Sequence, residues 1–502
     1  MKQLKKTKNN KMNLFKKISK EGWLLLFIFI FVLAFRLYFV FQSKNFSSDE
    51  AYFHLRHINY ILENSKVLFY DDLSYGGRYI LYPPLFHILF AYITLGSMLL
   101  LKIFPAIFAS LLVFAVYFIA KYITNDKKIA LFTSLLASFV PLYMTETLNN
   151  LSPYSLVIPL IFFMLYCLSK IDKQFYLLLF ILSSLLLPFL HATAILFLLT
   201  ILIYLVISKS EGLELTKLKK EAMLFSVAVI ILIELIIFKK AFLQYGLDVI
   251  WQNIPVNIFA DEFKSLNVFE IIFGVGIVQL IFGLFGLYYG LHKLKKRLVY
   301  MTSSLILGIF VLLLLRLIPL SVGLMFLGIS LAITSSLTIK FIFEYFEQTK
   351  LFNYEKYFTY MFLFLVLFLS IIPIYSIANK VSPVFDQTIA DMEWINNNVR
   401  EDATVLAPLQ EGNLIISLAK RKNVADSEFL LAPNALKRSE DIKIMYTVGS
   451  EAIALGLMHK YNINVIYESD NLDKIYGKYN LAYLNNKACF NEIMWRIYEV
   501  RC

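Results

Sequence analysis

Charge is scarce in this chain: Asp, Glu, Lys and Arg make up 17% of 502 residues, against 59% hydrophobic residues, and the mean hydropathy is +0.66. That shortage excludes a single soluble globule and points to a polytopic membrane protein. Cysteine is nearly missing. Cys167, Cys489 and Cys502 make no metal-ligand spacing, and only the last two are placed to form one bridge, so the redox compartment is not readable. Internal repeats and low-complexity tracts are missing too, and the apolar runs carry no inverted-repeat pattern, which disfavours a secondary transporter. The net charge of +12 does not imply nucleic acid, because most of the excess lies in short basic clusters between apolar runs. Those clusters read as orientation signals.

What is present begins with a lysine-rich tail, residues 1–21, followed by Gly22–Phe41, long enough to span about 30 Å of hydrocarbon. This run is too long, and too cleanly continued by more membrane, to be a cleaved signal peptide. The tail is therefore expected in the cytoplasm. A large first outer loop, residues 43–101, follows. It opens on Phe46-Ser-Ser-Asp-Glu-Ala-Tyr-Phe-His-Leu-Arg-His57, where Asp49 and Glu50 fit a base or metal ligand and His54, Arg56 and His57 fit phosphate. The same residues also fit an ordinary helix start, with Ser47 or Ser48 as N-cap and acidic residues in the first turn. Asp71-Asp72, Gly76-Gly77-Arg78 and Tyr82-Pro-Pro-Leu-Phe-His87 complete the loop.

Charge parity decides the status of Leu85–Leu101. If it lies at the outer surface and Ile103–Ala120 is the second span, the lysine and arginine clusters near 121–128, 170–173, 209–220 and 293–297 all fall on the cytoplasmic side. Further spans then read as 129–145, 153–169, 175–189, 191–208, 222–238, 269–291, 299–316, 318–338 and 357–376, about eleven in all. An odd number sends residues 379–502 to the outer face. There the composition turns soluble, with helices at Asp391–Val399 and Ser450–Tyr461 and strands at Ala403–Ala407 and Ile463–Tyr467, an α/β domain. The fold class is thus a polytopic α-helical membrane domain, residues 22–378, carrying an extracytoplasmic α/β domain.

Outer-face residues of unusual chemistry gather in four places: the Asp49-Glu50 loop, the loop with Glu146, Asn149 and Asn150, the loop with Asp248, Trp251, Asp261 and Glu262, and the single residues His191 and Arg316. Such a set suits a reaction at the membrane surface on a lipid-anchored anionic substrate. An acceptor hydroxyl loses a proton to a carboxylate as it attacks, and a phosphate leaving group calls for arginine, here Arg56, Arg78 and Arg316, with Lys102 a weaker choice. Bland roles compete: Arg316 also fits a residue snorkelling to headgroups, His191 a helix cap, Asp261 with Glu262 a solvated pair, and Asp71 with Asp72 turn chemistry.

Ser48-Asp-Glu-Ala-Tyr-Phe-His-Leu-Arg56, Tyr82-Pro-Pro-Leu-Phe86 and Met392–Leu406 resemble the first-loop acidic motif, the end of that loop and the opening of the soluble domain in archaeal oligosaccharyltransferase catalytic subunits, members of the GT-C class of membrane glycosyltransferases. Two features depart from that likeness. Pro408-Leu-Gln-Glu-Gly412 stands where those enzymes carry a Trp-Trp-Asp-Tyr-Gly motif that recognises the asparagine sequon. Ser152-Pro-Tyr154, with only Glu146 nearby, stands where they carry a second acidic metal motif. The acidic pair itself resembles that of protein O-mannosyltransferases and the aminoarabinose transferase of lipid A.

The resemblance implies a glycosyltransferase that moves a sugar from a polyprenyl (dolichyl) phosphate or diphosphate to a protein, glycan or lipid acceptor on the outer face of the cell membrane. In it Asp49 acts as general base, or as metal ligand with Glu146 if Mg²⁺ or Mn²⁺ is present, and Glu50 orients the acceptor or a cation. Arg56, Arg78 and Arg316 hold phosphate, with His54, Glu146, His191, Asp261 and Glu262 in support. The rival readings are a lipid-linked-sugar flippase and a catalytically silent scaffold of the same fold.

Overall fold

The computed structural model describes residues 19–251, 267–349, 354–379, 381 and 383–502. Among these, six helices are long and apolar enough to cross a bilayer: Lys20–Val40, Met98–Thr124, Ile277–Leu294, Arg297–Leu314, Leu320–Glu347 and Tyr357–Tyr375. Two further runs qualify as bent pairs, Lys127–Ser138 with Pro141–Thr147 at 53° and Lys217–Ile237 with Lys239–Tyr245 at 69°. The first bend falls just before Pro141, which has no N–H to continue the ladder. Tyr154–Ser169, Gln174–Leu190 and Ala194–Ser210 are apolar but shorter, near 25 Å at 1.5 Å per residue. The eleven expected runs are therefore all largely helical, while the number that passes the length test is six, or eight with the bent pairs. One expected run, 269–291, is broken at Gly276, where φ is 95°.

The outer-surface helix expected over Leu85–Leu101 is shorter than that. It runs Leu85–Thr94 and stops at Leu95, φ 49°, followed by Gly96. Ten residues reach only about 15 Å, too little to span, and Met98 opens the next long helix.

The C-terminal part begins with the helix Asp386–Asn398 and is built on a five-stranded sheet. Its strands are β3 (Thr404–Leu406), β4 (Lys422–Asn423), β5 (Ile463–Tyr467), β6 (Phe490–Met494) and β7 (Ile497–Val500), in the order β4-β3-β5-β7-β6. β3 pairs in parallel with β4 and β5, and β7 pairs antiparallel with β5 and β6. Parallel pairing requires a crossover, here through the helices Ala435–Thr447 and Glu451–Lys460 between β4 and β5. Leu406, Ile442, Met445, Tyr446, Ile466 and Phe490 form its buried centre. The Tyr446 hydroxyl is satisfied there by donating toward the carbonyls of Leu406 and Tyr467. Cys489 and Cys502 are joined as a disulfide.

The long loop that follows the first span and this sheet domain are one packed unit. In the loop, β1 (Tyr70–Asp71) pairs with β2 (Arg78–Tyr79), and the turn between them inserts Tyr75, 2% exposed with φ 55°, into the sheet domain's core. That left-handed backbone is unusual for a bulky residue. It is held by the Tyr75 amide donating to Asn423 Oδ1 at 2.7 Å and the Tyr75 hydroxyl donating to the Asp426 carbonyl at 2.7 Å. Asp426 also accepts from Ser74 Oγ at 2.6 Å and from Arg78 Nη2 at 3.1 Å. Both partners of the ion pair are buried, at 3% and 0% side-chain exposure.

Deleting one partner of such a pair strands a buried charge, at a cost of about 3–5 kcal/mol. Arg78→Met is accordingly expected to lower the melting temperature of the purified protein and to open the 70–79 loop to protease. Asp72→Ala, at an exposed neighbour, should do neither.

Candidate active site

Ser48 caps the helix Asp49–Asn64, its hydroxyl accepting from the Ala51 amide at 3.2 Å. The capping geometry and the acidic first turn read from the sequence therefore coexist with a site. Capping fixes where the first two side chains leave the helix, and they leave into different surroundings. Asp49 turns to the sheet domain: its carboxylate accepts from Asn413 Nδ2 at 2.8 Å and from the amides of Leu414 at 3.0 Å and Asn413 at 3.4 Å. Burial raises its pKa well above the ordinary aspartate value, and the three N–H donors oppose that rise. Glu50 keeps 43% side-chain exposure, with Oε1 3.7 Å from His54 Nε2. Partial burial raises the Glu50 pKa, but the neighbouring His54 and His191 outweigh it and leave the carboxyl below its usual value. Adjacent carboxyls driven apart in this way suit different proton-transfer roles.

The Asn413 turn is positioned by Gly412, whose Cβ position lies 2.3 Å from the Ala425 carbonyl oxygen and 2.7 Å from Asp426 Cα. Only glycine lets the two segments approach so closely. Asn423 Nδ2 then donates to the Gly412 carbonyl at 3.0 Å. The ties on Tyr75 and Asp49 thus run through one stretch of chain, residues 412–426.

Behind Glu50 the structure gathers four of the chain's six histidines. His54 Nδ1 lies 2.9 Å from His87 Nε2, and His57 stacks on His87 with centroids 4.7 Å apart. Tyr82 packs against His54, His87 and His191, and Tyr154 against His191. His54, His57 and His87 are at most 2% exposed. Burial pulls His57 and His191 down to about 4 and His87 well below the ordinary value, so these three rings are neutral at pH 7. His57 Nδ1 donates to the Phe53 carbonyl at 2.9 Å, which fixes its tautomer.

The loop of residues 148–153 also meets the one that carries Asp49. The Ser47 amide donates to the Asn149 carbonyl at 3.1 Å, and Ser48 Oγ donates to Asn150 Oδ1 at 2.8 Å. Glu146 is half-buried one turn earlier, its carbonyl accepting from Asn150 Nδ2. Among the described residues no three His, Cys, Asp or Glu side chains come together in an arrangement that holds a metal. Both Asp49 oxygens already face N–H donors, a donor set that does not fit the several oxygen ligands Mg²⁺ or Mn²⁺ requires.

Of the expected phosphate cations, Arg56 and Arg78 have partners within the protein. Arg56 grips Asp71 with Nη2 and Nε at 3.1 and 3.3 Å, and Arg78 is engaged by Asp426, Ser74 and the Leu430 carbonyl. Lys102 donates to the carbonyls of Ser43 and Asn45. These charges hold the loop's shape. Arg316 is exposed in the turn after Arg297–Leu314. Asp261 and Glu262 lie outside the described residues, as does most of the long loop that carries them.

Sequence reading missed Asn413 and Leu414 as Asp49's partners, Glu428, and His87 as a member of the cluster. Glu428 stands close enough to Glu50 to feel its charge; burial first, then Glu50, pushes its carboxyl up to about 8. Reading also missed Arg36, 0% exposed in the first span, which donates to Thr147 Oγ1 at 2.9 Å beside the 148–153 loop. A lone arginine inside an apolar run was the available signal.

No protein-family model matches the sequence, and none of the curated proteins matches it. Solved structures do match. The Archaeoglobus fulgidus oligosaccharyltransferase, in complex with Zn and sulfate, aligns over 93% of this chain and 71% of its own at 15% identity and a TM-score of 0.68. The archaeal oligosaccharyltransferase AglB from the same organism, with an inhibitory peptide and a dolichol-phosphate, covers 90% and 70% at 14% identity and a TM-score of 0.68. ArnT from Cupriavidus metallidurans, bound to undecaprenyl phosphate, covers 96% and 98% at 12% identity and a TM-score of 0.56. Identity this low establishes architecture alone. The chain has the fold of the GT-C glycosyltransferases, to which these structural neighbours belong.

Proposed function

We propose that this protein transfers a sugar from a polyprenyl phosphate or diphosphate to an acceptor at the membrane surface, with inversion at the anomeric carbon. The observation that carries the proposal is the pair Asp49 and Glu50 at a capped helix start, between the outer loop and the sheet domain, with their acidities driven in opposite directions. Support comes from the fold and from the lipid phosphates held by its neighbours, dolichol-phosphate in one and undecaprenyl phosphate in another. In the proposed reaction an acceptor oxygen or nitrogen attacks the anomeric carbon as its proton passes to Asp49. The bond from that carbon to the phosphate oxygen breaks, and the lipid phosphate leaves with the electron pair. Asn413 and Leu414 aim the Asp49 carboxylate, Glu50 orients the acceptor with His54 and His191 behind it, and the exposed Arg316 is the proposed cation for the departing phosphate. No metal enters these steps, since the donors around Asp49 do not suit one.

The proposed setting is the cell membrane, with the lysine tail cytoplasmic and the acidic loop and sheet domain outside. Contacts between Asp49 and residues 413–414 support a shared face for those two, and a disulfide in the sheet domain accords with an oxidising compartment. The same contacts favour a second reading, a scaffold of this fold in which Asp49 serves only to anchor the domain.

Two experiments separate the readings. Asp49→Asn, assayed for transfer from radiolabelled polyprenyl-phosphate sugars, is expected to lose about 10²–10⁴-fold, the usual contribution of a general base, while Glu50→Gln loses less. Both variants should insert and elute like the parent. Unimpaired transfer by D49N overturns the proposed role, and a folded parent that consumes no donor supports the scaffold.

The second concerns pH. Asp49 works ionised, so activity falls as pH drops through its raised pKa. Glu428 is protonated below about 8 and above it becomes a second negative charge beside Glu50. Activity should therefore decline above pH 8, and Glu428→Gln should remove that decline while leaving the acid limb in place.

A further inference from the structure

At the end of the helix bundle remote from Asp49 lies a small polar cavity of about 60 Å³. Its remoteness follows from one helix. Lys102, near the start of Met98–Thr124, bonds the Ser43 and Asn45 carbonyls beside the acidic loop, whereas Tyr122, near the helix end, lines the cavity. Twenty residues of helix separate them by about 30 Å. On the scale at which one water needs about 10–15 Å³, the space accommodates several waters or one phosphate group.

Two cations and two helix starts line this cavity. Lys219 belongs to the first turn of Lys217–Ile237, and Arg297 opens Arg297–Leu314. Lys219 is only 8% exposed. Its Nζ sits over the Tyr204 ring at 5.4 Å and has no hydrogen-bond acceptor among the described residues. A lysine with so little solvent around it gains from an anion in the cavity it lines. First-turn amides of both helices add their positive dipole ends to the same side. One acidic residue, Asp172, also lines the wall. It is exposed, and its Oδ1 accepts from the Thr216 hydroxyl at 3.3 Å, so the lining keeps an excess positive charge.

We infer that this cavity binds a phosphate group, through Lys219 and Arg297, on the membrane face opposite the acidic loop. The inference does not depend on the proposed sugar transfer. Two sources offer that chemistry: the headgroup of an anionic phospholipid, which basic pockets between spans recognise, or a free phosphate from solution. Bound there, the phosphate joins the first turn of Lys217–Ile237 to that of Arg297–Leu314.

The test uses the full chain purified in neutral detergent, and the same chain in nanodiscs. Melting temperature is followed while sodium phosphate is titrated against sodium chloride of equal ionic strength, and in nanodiscs of phosphatidylcholine with or without phosphatidylglycerol. A ligand that binds only the folded state must raise the melting temperature. A rise with phosphate alone assigns the site to a free anion, and a rise with phosphatidylglycerol alone assigns it to a lipid headgroup; a rise with both assigns it to the phosphate group they share, and any of these upholds the site provided the variants weaken it. Lys219→Met should abolish the rise and Arg297→Gln should weaken apparent affinity by about tenfold, the loss of a charge-assisted contact. Arg297 is exposed, so R297Q is expected to fold even if K219M does not. The inference is overturned if neither ligand raises the melting temperature of the parent, or if the affinity of R297Q equals the parent's.

Discussion

The carboxylate of Asp49, held by the side chain and amide of Asn413 and the amide of Leu414, is the contact on which the packing of the sheet domain against the first long loop depends. An aspartate at the start of a helix ordinarily turns back onto that helix's free amides. Here Ser48 takes the capping role, which frees Asp49 to accept from another part of the chain 364 residues away. Two consequences follow together. The sheet domain is fixed against the loop that follows the first span, and a half-buried carboxyl has enough hydrogen bonds to be oriented but not enough to cancel the effect of lost solvent on its acidity.

Other ties reinforce that contact from both sides. The Val384 amide donates to the Phe46 carbonyl, and Asn45 donates to Asp386 Oδ1, so the entry of the sheet domain is bound to the residues just before the acidic pair. Farther along, Asp426 gathers Ser74, Arg78 and Asn423 into one buried network. Buried networks of this kind are all or nothing, since a half-satisfied one costs more than an apolar core. Arg78, which looks like a phosphate ligand in isolation, is thereby seen as the cation such a network requires.

How much of this could be read in the chain varies with the range of the interaction. Ile463–Tyr467 is a strand in both reading and structure, and the helix read over Ser450–Tyr461 forms over Glu451–Lys460, because apolar patterning is a local signal. Ser48 was likewise visible as a cap. The bends before Pro141 and after Ile237 sit inside continuous apolar runs, where hydropathy sees length and not direction, and three more runs form the shorter helices Tyr154–Ser169, Gln174–Leu190 and Ala194–Ser210, so the span count read from the sequence exceeds the number of helices that pass the length test. Arg78 and Asp426 lie 348 residues apart, and nothing local to either names the other. His87 lay in plain view beside Tyr82 but joined the site only once Leu85–Thr94 had folded against Asp49–Asn64. Gly412 carries the same lesson: its φ is unremarkable, and only the approach of residues 425 and 426 makes it necessary.

The most direct test of the central claim is donor consumption. The folded protein is incubated with a panel of polyprenyl-phosphate and polyprenyl-diphosphate sugars and mixed protein, glycan and lipid acceptors, with released lipid phosphate and the anomeric configuration of the product followed by mass spectrometry and NMR. The account predicts that one donor is consumed and that its sugar reaches an acceptor with inverted configuration. Consumption of no donor by folded, membrane-inserted protein, or a product with retained configuration, would contradict it.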